Sequence, residues 1–202
     1  MQSYFFIAFT ALFVFLVAAS RAKRKPVQGN PLPVNYKILL EQNVAFYRAL
    51  DEGQKKKFEN RMASFLASVS IKGIRTEADD IDKILIAASA VIPMFGFNTW
   101  QYYNLATVLL YPGHFNEAFD LDGEERRVTG MVGDGAMNYT MILSRPALRE
   151  GFKNETDKNN TAIHEFVHLL DKMDGDTDGV PEALLEKQYT IPWINLMHKG
   201  IE

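Results

Sequence analysis

The sequence predicts an α+β domain: helices first, then a small and mostly antiparallel sheet, then a further helix, preceded by one transmembrane helix. Three observations carry that reading. Apolar residues recur at helical spacing from Phe58 to Val69 and again from Ile81 to Ile92. The pattern then changes to short β-branched and apolar runs bounded by Gly and Pro, at 106–111, 126–132 and 136–143. Ahead of them all, Tyr4 to Ala19 is apolar apart from Tyr4 and Thr10, and carries no charge.

The 202 residues suit one globular domain with a little left over. Hydrophobic and charged fractions of 47% and 23% exclude wholesale disorder and a multi-span membrane protein. Zero cysteine excludes a disulfide scaffold, a cysteine nucleophile and every thiolate metal site. Any metal must therefore be held by Asp, Glu or one of four histidines.

Each element follows from local chemistry. Extended to Gln2–Ser20, the N-terminal apolar run reaches about 27 Å as a helix, enough for a thin hydrocarbon core. Arg21, Lys23, Arg24 and Lys25 follow it, and no basic residue precedes it. That asymmetry predicts a single-pass anchor with the remainder cytoplasmic. The small residues Ala18-Ala19-Ser20 also allow a cleaved signal peptide, but such a peptide carries its positive charge in front of the apolar run. Residues 1–25 thus read as anchor and basic flank, 26–35 (three prolines and a glycine) as linker, and 36–202 as the domain. Without the basic flank the chain holds 18 Lys and Arg against 25 Asp and Glu, which argues against nucleic acid as a partner.

Within the domain, Asp51 and Gln54 form a capping-box pair ahead of the first long helix. A strand or turn is expected around Ser70–Arg75, and a second helix from about Glu77 to Met94, stopped by Gly96. Ala106–Tyr111 reads as a strand ending at Pro112-Gly113. The segments 126–132 and 136–143 read as a hairpin about Gly133-Asp134-Gly135. A last helix is expected from about Glu155, ending before Gly175.

That last helix carries the chemistry. His164 and His168 are four apart and share one helix face, so both imidazoles can hold one zinc ion. Glu165, next to the first histidine, sits where its carboxylate can reach a water on that ion. The far face (Ile163, Phe166, Val167, Leu170) can bury against the core and seat the helix with its ligands facing a cleft; the bland alternative is an amphipathic helix with two ordinary histidines. A catalytic zinc needs a third protein ligand. The positions eight and eleven of the extended H-E-x-x-H motif are Asp171 and Asp174, not Gly and His. Glu186 is a weak candidate, since it can equally belong to a solvated helix face. Asp174, Asp176, Asp178 and Gly179 match the first positions of a calcium loop, but its twelfth position is Leu185 where a glutamate is required. A polar turn is the plainer reading. His114 and His198 have no partner pattern.

The stretch His164–Pro181 (HEFVHLLDKMDGDTDGVP) resembles the zinc peptidases of the MtfA type. Phe65-Leu66, Ile86–Ala90, Val108–Phe115 and Met141–Ser144 fall in that family's order, so the likeness spans about Leu32 to Pro181. The resemblance implies a zincin-like α+β fold and a zinc-dependent peptidase acting on a peptide or protein substrate, with His164 and His168 as metal ligands and Glu165 as catalytic base. It implies a third ligand, a glutamate in a Phe-rich segment of the form Glu-Phe-Phe-Ala-Val. No such segment occurs in the chain, so that ligand and the C-terminal part of the domain are expected beyond residue 202. The strand 106–111 is expected to align the peptide by edge pairing. The family's namesake is linked to control of glucose uptake through a transcriptional repressor. The alternative implied is therefore a non-catalytic, membrane-anchored module that binds a regulatory protein partner.

Overall fold

The computed structural model describes residues 29–98, 101–116, 120–122, 127–133, 137–153, 159–173, 179, 184 and 187–201. The expected membrane helix and its basic flank lie outside these. Among the described residues no helix is long and apolar enough to cross a membrane.

Seven α-helices are described, interleaved with four strands: α1 Tyr36–Asn43, α2 Ala45–Arg48, α3 Glu52–Ser68, β1 Ser70–Gly73, α4 Asp80–Val91, β2 Thr107–Tyr111, β3 Gly130–Val132, β4 Thr140–Ser144, α5 Arg145–Lys153, α6 Thr161–Asp171 and, after a short 3-10 turn, α7 Thr190–Ile201. The segment just before α1 does not hang free. Asn30 donates its amide to Leu66 O at 2.7 Å and Leu32 packs against the core.

α3 starts where its capping box places it, with Gln54 N donating to Asp51 Oδ1 at 2.8 Å and Asp51 N to Gln54 Oε1 at 3.1 Å. α4 is the central helix. Every residue from Ile84 to Val91 is buried, and its alanines let neighbouring helices approach. It starts at Asp80, not Glu77, because Asp79 and Asp82 form a second capping box. The buried Asp82 also receives Arg149 Nε at 2.9 Å and pairs with Arg145 at 3.0 Å, locking α4 to α5. Asp82→Ala removes the buried partner shared by Arg145 and Arg149, leaving them only Glu77 O and Asp79, and is expected to cost about 3 kcal/mol of stability by urea denaturation.

The sheet order is β1-β2-β4-β3. β1–β2 and β2–β4 are parallel, and only β3–β4 is antiparallel. The expectation of a mostly antiparallel sheet is therefore corrected to a mixed, mostly parallel one. The cause is connectivity. α4 bridges β1 and β2 as a crossover, which makes neighbouring strands parallel, whereas the hairpin alone reverses direction. The nearly continuous apolar runs of β2 and β4 are what strands covered on both faces look like. Val108, Leu110, Met141 and Leu143 face the helices, while Tyr111 and Ile142 face a smaller cluster with Phe115, covered by Leu121 and Val128. β2 also lies between β1 and β4, so it has no free edge and cannot pair with a peptide. Among the described residues the outer edge beside the site is that of β3, open at Gly130–Val132, while Val128 just ahead of it pairs with Phe115.

Candidate metal centre

α6 is set by what flanks it. Asn160 caps its start, accepting from Ile163 N at 3.0 Å, while the Asn160 amide donates to Gly151 O at 2.8 Å. A Cβ on Gly151 would stand 2.9 Å from Asn160 Cγ, so a glycine there lets α5 close on the start of α6. At the other end, Asn104 Nδ2 donates to Leu169 O at 2.7 Å. Asp171 accepts from Gly179 N at 2.9 Å, and Gly179 takes a left-handed φ of 82°. The helix is pinned in its middle by Phe166, whose ring lies 5.6 Å from Phe65 and 5.1 Å from Tyr102.

The buried stripe of α6 runs through Ala162, Glu165, Phe166, Leu169 and Leu170. Val167 is 47% exposed, in contrast to the core-facing role its hydrophobicity suggested. At 100° per residue, Val167 falls on the histidine side, well away from Phe166. His164 and His168 emerge together on that outward face, Nε2 to Nε2 at 2.9 Å with the rings 83° apart. Two nitrogens held about 2.0–2.1 Å from a tetrahedral zinc stand roughly 3.3 Å apart, so this pair needs only a small adjustment to take the ion. Burial, reinforced by the charge of His164, holds the His168 imidazole below its usual pKa. That favours the neutral form a metal requires. The donor set fits zinc.

Glu165 is 8% exposed. Its burial pushes the carboxyl above the usual carboxylate range, with His164 and Lys172 opposing. A carboxyl so placed holds a proton more readily than an exposed one, which suits it to proton exchange. β3 crosses directly over it: a Cβ on Gly130 would lie 2.7 Å from Glu165 Cγ and 2.9 Å from Thr161 Cγ2. Gly130→Ala is expected to push the Glu165 side chain aside and lower peptide hydrolysis about 10- to 100-fold, with zinc binding retained. Steady-state kinetics beside metal analysis checks it. A cleft of about 690 Å³ opens beside these residues, lined among others by Thr129, Asn160, Thr161, Ile163, His164 and Glu165.

The structure thus brings His164, His168 and Glu165 to one site. Among the described residues no third His, Asp or Glu joins the two histidines as a ligand. Glu186 and the calcium-loop candidates Asp174, Asp176 and Asp178 lie outside the described residues, as does the side chain of His198. His114 is exposed in the loop after β2. Gly130 and Asn160 are additions to the sequence reading. An Asn directly before an apolar-periodic run, and a lone Gly opening a strand, are the signals that point to them.

An α+β domain that presents an H-E-x-x-H helix beneath an antiparallel edge strand has the architecture of a metallopeptidase. The chain belongs to the family of glucose-regulated metallo-peptidases M90, whose model matches residues 18–202. It is also similar to an uncharacterized protein of Synechocystis sp. (strain ATCC 27184 / PCC 6803 / Kazusa), with 27% identity over 176 residues. The match takes in 83% of this chain and 63% of that relative, so the chain spans a little under two thirds of the relative's length.

Proposed function

We propose that the protein is a zinc-dependent peptidase, hydrolysing peptide bonds with His164 and His168 as metal ligands and Glu165 as general base. The observation that carries this reading is the convergence of both Nε2 atoms, 2.9 Å apart, beside a buried carboxylate under a strand edge. Zinc bound there would supply Lewis acidity, lowering the pKa of a water to about 7 and polarising a carbonyl. Glu165 takes the proton of the attacking water and returns it to the leaving amine. A third protein ligand completes the set, as in other catalytic zinc sites.

β3 aligns the substrate. The rungs to β4 are Ser144 N to Thr129 O and Gly133 N to Thr140 O, both 2.8 Å. By antiparallel alternation Met131 faces β4, and the amides and carbonyls of Gly130 and Val132 point to the outer edge. An extended peptide can add there as a further strand. The anchor at 4–19, with the domain on the cytoplasmic side, belongs to the same proposal and is supported by the charge asymmetry of the sequence.

The test is incubation of the full-length, zinc-loaded protein with extended peptides, followed by analysis of product termini. New amino termini that vanish on chelation and return with zinc are the expected result. A protein that binds zinc and leaves every peptide intact favours the regulatory binding module instead.

A further inference from the structure

We infer that the cleft beside His164 and Glu165 is a selectivity pocket for one large apolar side chain, so that favoured substrates carry Phe, Leu or Met at a position flanking the cut bond. The inference rests on the peptidase reading above and adds the substrate class to it.

The cleft's volume of about 690 Å³ falls in the range of pockets that enclose ligand groups. Its lining divides by chemistry. Thr129, Asn159, Asn160, Thr161, His164 and Glu165 are the polar part, while Phe46, Ile92, Phe152 and Ile163 supply an apolar wall from α2, the end of α4, α5 and α6. Phe46, Ile92 and Phe152 pack against the core yet remain partly exposed, so their burial is incomplete until something covers them. The wall is also stiff. Phe46 meets Phe95 edge-on at 5.4 Å and Phe58 at 5.9 Å, which fixes its ring before any substrate arrives.

Charge narrows the choice. No Lys or Arg is among the described lining residues, and Glu165 is the one carboxylate. An acidic side chain would be desolvated next to that carboxylate without a cation to offset it. A basic one would find its partner only in the group needed for proton transfer. Position then links the cleft to the bond. Thr129 both lines the cleft and immediately precedes β3. A peptide paired with Gly130, which lies over Glu165, therefore places a side chain beside the cleft.

The experiment uses the full-length, zinc-loaded protein on a complex peptide mixture, with the cut sites read by mass spectrometry. Phe, Leu or Met is expected at one flanking position about tenfold or more over Ala, Asp and Lys. Ala45→Phe, which adds a ring to the cleft lining, is expected to lower the ratio of kcat/KM for a Leu peptide over its Ala counterpart about tenfold. Binding gives a readout free of turnover. Zinc-loaded Glu165→Gln should hold the Leu peptide about tenfold tighter than the same peptide with Asp, by calorimetry. Cleavage without a flanking preference, or equal binding of the Leu and Asp peptides, overturns the pocket and leaves the peptidase standing. Failure to cleave or bind any peptide overturns both. If Ala45→Phe does not fold, the cut-site profile and the binding comparison decide.

Discussion

Glu165→Gln should reduce peptide hydrolysis about 10²- to 10⁴-fold while leaving zinc binding intact. The substitution keeps the shape of the side chain and removes only its capacity to take a proton. It should not cost stability, because burial already disfavours the charged carboxylate at this position. The loss must appear in kcat more than in KM, since Glu165 acts on the water and not as the strand edge that aligns the peptide. Paired measurements of turnover, zinc content and melting temperature check all three statements. A Gln variant that cleaves like the parent removes Glu165 from the chemistry.

His168→Ala should have the second large effect, and on a different quantity. Loss of an outer-shell partner of a metal ligand weakens metal binding about 10- to 100-fold, and loss of a ligand itself should exceed that. Zinc affinity is therefore expected to fall by more than about 100-fold, with hydrolysis at stoichiometric zinc dropping to background. His168 lies on the outward face of α6, where truncation leaves no core cavity, so the fold should survive. His114→Ala, in an exposed loop, is the control and should leave zinc affinity unchanged. Direct titration with zinc in a competitive chelator separates the two variants.

The parts legible in the sequence were those fixed by short-range chemistry. Asp51 and Gln54 mark the start of α3 because a capping box satisfies its own orphan amides, whatever the tertiary context. The i, i+4 spacing of His164 and His168 puts both rings on one face in any helix. What escaped depends on neighbours distant along the chain. The run at 107–111 reads as a strand, but which strands flank it, and in which direction, depends on α4 crossing over the sheet. For that reason the edge role belongs to β3 and not to β2. α5 was hidden by Pro146 and Gly151, both of which are tolerated there. The proline lies in the first turn, and the glycine makes room for Asn160. Val167 shows the same limit at one residue. Hydrophobicity assigned it to the core, and the rotation of α6 about Phe166 turned it to solvent beside the histidines.

The most direct test of the central claim is a zinc titration of the metal-depleted, full-length protein, followed by its rate of peptide hydrolysis. Activity is expected to rise linearly with added zinc and break at one ion per chain, and the His168→Ala protein titrated in the same way is expected to stay at background throughout. Hydrolysis that is independent of zinc, or a stoichiometrically loaded chain that cleaves no peptide, would contradict the claim.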